Sequence, residues 1–440
     1  MNNFEFYDLV LENQGLLLSI FIGSIILHFY IFKPQIKSIL DPYFLAVISS
    51  MFCLTVVFLL YFSNNISFYL FLSYILTQGS FFLGFYSFKT PKNNIVNIKL
   101  HSAKNKYNGI VAFYFFSMVY LICQAIIYKI KGIPLFMESR LETFASGGGT
   151  GVLGRISEVT SIFSLYAFFL IAKIDKFRFS EIPKYVTILL IFLTFILSGS
   201  KSNFLLVFSI FWCFIIFNQA KGLDYLTYLN FIKKHLKLII IFSLSIVLFI
   251  IIIQNSNSTN SNQNEISPLF SLILRLVHSG DVYWYSYPNN VYLSINGDRW
   301  FSALFTDTLG LFRISDWEKL PEAIGITLKN IHHPSDILQG PNARHNIFGL
   351  IYFGYFGSIV FSYFLGVILS FIRNKLPFII RADIFGGFFF TYLMCKCSAI
   401  DGDPMLTITY INNLLFIFPP LFICFLFFKE IFSFNKAYEK

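Results

Sequence analysis

Apolar residues run along this chain in long, nearly continuous blocks separated by short polar stretches. Most blocks are close to the ~18 residues a helix needs to cross a hydrocarbon core of roughly 30 Å. The pattern predicts membrane spans near 15–32, 42–62, 67–88, 108–128, 156–172, 185–200, 202–218, 238–253, 347–372, 382–400 and 406–428. A transmembrane barrel would alternate apolar and polar positions, whereas continuous blocks suit helices that satisfy their own backbone. The expected fold is an all-α polytopic membrane protein of about eleven helices, with a range of ten to twelve. It is expected to form a single integral membrane domain over 1–440.

Composition supports the pattern. Hydrophobic residues make up 56% of the chain and charged ones 13%, with a mean hydropathy of +0.67. A water-soluble fold of this size could not cover so much apolar surface with so few charges. The net charge of +10 is spread through short loops and not gathered in an arm or patch, so no nucleic-acid partner is expected. The first apolar block follows an acidic start (Glu5, Asp8, Glu12), so no cleavable signal peptide is expected. All six cysteines fall inside or at the edge of apolar blocks, which argues against a disulfide framework or an external metal site.

Charge placement then orients the chain. The loops at 33–41, 89–107, 173–184, 219–237 and 373–381, with the tail from 429, carry 21 of the 33 basic residues. The positive-inside rule puts this set in the cytoplasm. The N-terminus is then expected outside and the C-terminus inside.

Two loops are left on the outer face. The first, 129–155, contains KGIPLFMESRLETFASGGGTGVLGR. The second runs over 254–346, far longer than an ordinary connection. It opens with a polar Asn/Ser stretch and contains ISPLFSLILRLV, apolar at near-helical spacing. WFSALFTDTLGLF (300–312) is apolar but too short to span, so it reads as interfacial or re-entrant.

The outer face collects the candidate chemistry. Arg140 and Arg155 flank the glycine-rich run, and Lys201 sits in SGSKS (198–202) between two closely paired spans. Arg275, His278 and Asp281 lie in RLVHSGD, while Arg344, His345 and Asn346 stand at the mouth of the ninth span. Cations here run against the charge bias, and each could snorkel to lipid headgroups or pair with a nearby acid, as Arg140 could with Glu138 or Glu142. An anionic ligand is the alternative reason: arginine bonds phosphate oxygens in pairs and keeps its charge when partly desolvated. Arg275, inside an apolar stretch, is costly without a purpose. His345 suits acid–base work, since histidine titrates near neutral pH, although it could simply cap the following helix. His332 and His333 lack a third ligand at metal spacing, so no metal is expected. SGGGTG (146–151) lacks the Gly-Lys-Ser/Thr ending of a phosphate loop and reads better as a mobile loop gating a lipid-facing cleft.

With these residues in view, the chain resembles the O-antigen polymerases, the Wzy-type oligosaccharide repeat-unit polymerases of bacterial inner membranes. The resemblance runs from DPYFLAV (41–47) through GIPLFMESR (132–140), GGGTGVLGR (147–155), SGSKS and RLVHSGD to RHNIFGLIYFGYFG (344–357). In relatives the SGS element often ends in Arg where this chain has Lys201, which keeps the charge and loses the paired hydrogen bond. The resemblance implies a GT-C-type polymerase/ligase membrane fold with the two loops in the periplasm. It implies a glycosyltransferase that takes undecaprenyl-pyrophosphate-linked oligosaccharides within membrane lipid, with no cofactor and no required metal. A chain-length regulator and a flippase are the protein partners it suggests. Arg275 and Arg140, with Lys201, Arg344 and Arg155, would hold the donor pyrophosphate. Asp281, His278 and Asn346 would complete the site, with His345 orienting or deprotonating the acceptor hydroxyl. O-antigen ligases carry a related set, so ligation stays open at this point. A lipid-linked oligosaccharide flippase should show internal repeats and charges deep in several spans, and neither is legible here.

Overall fold

In the computed structural model, the described residues are 3–36, 38–90, 102–137, 150–172, 181–223, 225–230, 278–334 and 340–438, with a few single positions between 233 and 245. The described residues are all-helical, without a strand, and eight of their helices are long and apolar enough to cross a membrane. In chain order the helices are α1 (Asn3–Glu12), α2 (Gln14–Phe32), α3 (Pro42–Phe62), α4 (Phe68–Phe85), α5 (Ser102–Lys131), α6 (Thr150–Ile171), α7 (Ile182–Leu197) and α8 (Lys201–Ala220). There follow α9 (Asp281–Ser286), α10 (Trp300–Leu304), α11 (Thr306–Leu311), α12 (Ile324–His332), α13 (His345–Asn374), α14 (Ile384–Lys396), α15 (Pro404–Asn412) and α16 (Phe418–Tyr438). Ten of the eleven expected spans coincide with helix, α7 and α14 being the short ones. The eleventh, 238–253, lies but for two helical positions outside the described residues.

The chain divides into two compact units. The first takes in Met1–Thr90, Gln263–Lys375 and Lys396–Tyr410. Its helices start where the sequence supplies caps: Asp41 accepts from the Tyr43 N–H at 2.9 Å with Pro42 in the first turn, and Ser67 accepts from Leu70 at 3.4 Å. α2 buries only Ser24, His28 and Phe32, while Leu18, Ile22, Ile26 and Phe29 stand exposed as a lipid-facing flank. α3 is the reverse, with most of its length buried. Arg373 clasps Asp41 through two bonds of 2.7 Å, tying the end of α13 to the start of α3.

α4 and α13 touch backbone to backbone. A Cβ on Gly84 would stand 2.1 Å from the Tyr363 carbonyl oxygen, and one on Gly366 would stand 2.2 Å from that of Phe81. Small residues at such crossings are how helices gain close contact in lipid, where burial of apolar surface gives no driving force.

α13 departs most from expectation. A straight helix would hold His345 and Ser362 about 25 Å apart at 1.5 Å per residue. Instead their side chains are bonded at 2.9 Å, Phe348 stacks on Phe361 at 5.5 Å, and Gly349 rests against Ser358. The chain reverses at Gly354 (φ 66, ψ −170), a region open essentially to glycine alone. The single expected span over 347–372 is therefore a short limb, 345–353, folded back on a spanning limb, 355–374. Hydropathy missed this because both limbs are apolar and the break is one residue wide. Gly354→Ala is expected to lower stability by about 1–3 kcal/mol, readable as a drop in melting temperature of the purified protein.

The segment from His278 onward lies against α3: a Cβ on Gly280 would sit 2.8 Å from Val56, and the Cys53 thiol donates to the Ser279 carbonyl at 3.0 Å. Within the expected interfacial stretch, α10 and α11 break at Phe305 and leave Trp300, Phe301 and Phe312 substantially exposed. The second unit comprises Pro91–Asn262, Leu376–Cys395 and Ile411–Lys440. Its core is a phenylalanine stack in which Phe116, Phe163, Phe388 and Phe418 meet, with Phe116 and Phe163 3.9 Å apart. A π-helical turn, Asn413–Ile417, interrupts its C-terminal helix.

Candidate functional site

The first unit carries a polar cleft of about 530 Å³ lined by Tyr7, Ser49, His278, Asp281, Lys329 and Arg344, with Gly340, Pro341 and Asn342 beside them. It is assembled from α1, α3, the start of α9, α12 and the residue before α13. Arg344 forms part of its lining and is only 5% exposed.

Arg344 is held by its backbone first. Its N–H donates to the Gly402 carbonyl at 2.9 Å and that of His345 to Asp401 at 3.1 Å. Its φ of 53° is a strained value for a residue with a side chain. Such strain costs on the order of 1–3 kcal/mol and persists where the surroundings enforce it. The guanidinium donates to Ser49 at 2.8 Å and to the Cys53 sulfur at 2.6 and 3.1 Å, and it sits 3.5 Å from the Asp401 carboxylate. Burial pushes the Asp401 carboxyl up to about 6, with Arg344 pulling the other way. Two of the arginine's partners are neutral, a thiol and a hydroxyl. A phosphate oxygen would compete well against both.

His278 and Asp281 share the cleft with it. The His278 Nδ1 lies 3.3 Å from Asp281 Oδ2, and its Nε2 is hydrogen-bonded to the Tyr7 hydroxyl. Burial raises the Asp281 carboxyl above its usual range, the bond to His278 acting against it. Burial lowers the Lys329 ammonium, offset by Asp281.

Sequence order set Arg344, His345 and Asn346 at the mouth of a span, and the reversal at Gly354 changes that. Arg344 reaches Ser49 and Cys53, which flank the middle of α3, and Asn346 donates to Thr77 at 2.9 Å, midway along α4. All three stand level with the middle of those helices. Asn346 is sealed, accepting from the Tyr283 hydroxyl at 2.7 Å. His345 also lies behind the cleft: 1% exposed, its ring stacked on Phe81 at 5.0 Å, its Nδ1 on Ser362 and its Nε2 buried with no hydrogen-bond partner among the described residues. As placed, it braces the hairpin and does not face the lining. If the cleft is catalytic, His345→Gln is therefore expected to keep product formation within ~10-fold of wild type, whereas loss of an acid–base group costs ~10²–10⁴-fold. Rates on purified protein check this.

Of the other expected residues, Arg275 and Arg140 lie outside the described residues, and Lys201 opens α8 with its side chain outside them. Arg155 belongs to the second unit, where it donates to Asn413 at 2.8 Å. Asn413 donates in turn to Glu158, which also accepts from Tyr392 at 3.0 Å. His332 contacts the Tyr285 carbonyl at 2.9 Å. Sequence reasoning missed Asp401, Cys53, Ser49, Lys329 and Tyr7. For Asp401 a signal existed, since an Asp-Gly-Asp triplet separates two apolar blocks. Tyr7 carried none. The chain matches no protein-family model, no curated protein and no solved structure.

Proposed function

We propose that the chain is a polymerase of undecaprenyl-pyrophosphate-linked oligosaccharide repeat units, building O-antigen or a related surface polysaccharide at the periplasmic face of the bacterial inner membrane. On this reading it has about eleven spans in a GT-C-type arrangement. The observation that carries it is Arg344: a buried, backbone-strained guanidinium lining a polar cleft, donating to partners that an anion can displace. Arg344 with Lys329 would take the donor pyrophosphate and stabilise the charge that develops as it leaves. His278, oriented by Asp281, would take the acceptor hydroxyl's proton. The acceptor oxygen then bonds to the anomeric carbon, and the electron pair of the breaking C–O bond leaves with the lipid pyrophosphate. Arg275, Arg140, Lys201 and Arg155 remain further pyrophosphate ligands on the strength of the sequence resemblance. The chain-length regulator and flippase remain partners on the same ground.

A second reading, passage of a lipid-linked saccharide through the membrane, draws on the Arg344–Asp401 pair standing level with mid-span residues of α3. Deleting the gene in a lipopolysaccharide-making host separates the two. Loss of the long glycan ladder with one repeat unit still on lipid A supports polymerisation. Loss of even the single unit points to export or ligation and ends the polymerase reading.

A further inference from the structure

The Asp281–His278 pair has a third member. α1 packs its Phe6 on Trp284 of α9 at 5.4 Å and buries Val10, which fixes Tyr7 against the cleft. The Tyr7 hydroxyl meets His278 Nε2, with the two rings edge to face at 5.4 Å. Asp281 on Nδ1 favours the tautomer with its proton there, which leaves Nε2 an acceptor and makes Tyr7 the donor. The histidine nitrogen that should receive a substrate proton is thus already occupied by a phenol. We propose that Tyr7 is a catalytic residue that passes the acceptor hydroxyl's proton to His278. This rests on the polymerase reading.

The step balances. The acceptor O–H gives its proton to the Tyr7 oxygen as that oxygen hands its own proton to Nε2. The imidazolium formed lies beside Asp281. The acceptor oxygen bonds to the anomeric carbon, and the pyrophosphate departs with the electron pair onto Arg344. No further reactant is needed. In sequence α1 is only the acidic start before the first span, and folding sets Tyr7 on a residue 271 positions away.

The test uses full-length protein in lipid vesicles, fed with lipid-linked repeat unit extracted from the gene-deleted host. Tyr7→Phe keeps the ring contacts and removes only the hydroxyl. It is expected to lower turnover at saturating substrate by ~10²-fold or more with KM little changed. Asp281→Asn is expected to act on the same relay, so the double variant should lose little beyond the worse single one. Tyr7→Phe turning over as fast as wild type or faster would overturn the relay and make α1 a cover over His278. Losses that multiply in the double variant would also overturn it. Wild-type protein that forms no polymer at all would remove the parent reading, and the relay with it.

Discussion

On the polymerase reading, replacing Arg344 by alanine is expected to reduce polymer formation by ~10²–10³-fold, the order seen when a preorganised donor facing the transition state is lost. Arg344→Lys should recover only part of this, because an ammonium cannot present two parallel donors to a phosphate. The same change should weaken the fold. It leaves Asp401, 2% exposed, without its cation, and breaking a buried pair this way costs about 3–5 kcal/mol. pH separates the two effects. The Asp401 carboxyl is already raised by burial to about 6, and without Arg344 it rises further. A carboxyl raised on folding binds its proton more tightly in the native state, so it favours the native state most at low pH and loses that advantage as pH climbs through the folded value. Arg344→Ala protein should therefore melt higher at pH 5 than at pH 8 by a wider margin than wild type. Its activity should recover at neither pH. An Arg344→Ala protein that polymerises at the wild-type rate would remove this residue from the site.

The second large effect is expected at the glycine crossing. Gly84→Val or Gly366→Val places a side chain where a Cβ alone would lie 2.1 or 2.2 Å from a backbone oxygen. Backbone cannot step aside as a flexible side chain can, so the cost should reach the upper end of overpacking, about 3 kcal/mol or more. α4 carries Thr77 and Gln78, which anchor Asn346, so prising the helices apart also unseats the residue beside Arg344. The expected result is low membrane abundance and loss of cooperative melting. Among the described residues nothing lies within 4 Å of the Cβ position of Gly79 in α4, so Gly79→Ala should be tolerated and serves as the control.

How much of this was legible in the sequence divides along physical lines. Block length and continuity foretold helices that span, because hydrocarbon thickness and backbone hydrogen bonding leave few choices. RLVHSGD and RHN were legible as candidate site segments, since charge in an apolar context is costly. Arg344, His278 and Asp281 do converge in one cleft. Depth and facing were not legible. One glycine at 354 reverses the chain, and the reversal turns His345 from a group at a membrane surface into a brace packed on Phe81. The partners at Ser49, Cys53 and Asp401 come from residues that a linear reading takes for span packing or a plain loop. Convergence of residues hundreds of positions apart leaves no local trace.

The reversal at Gly354 also bears on competition from water. The short limb is nine residues, about 13 Å of helix at 1.5 Å per residue. It carries Arg344 that far from the turn, level with the mid-span positions of α3. On the polymerase reading, a glycosyl pyrophosphate opened there would meet fewer solvent molecules than one opened at the headgroups. Every such molecule that attacked first would release free sugar and end a chain. On the polymerase reading, the folded-back limb sets the yield of the enzyme as well as its rate: it decides whether an activated saccharide is joined or hydrolysed.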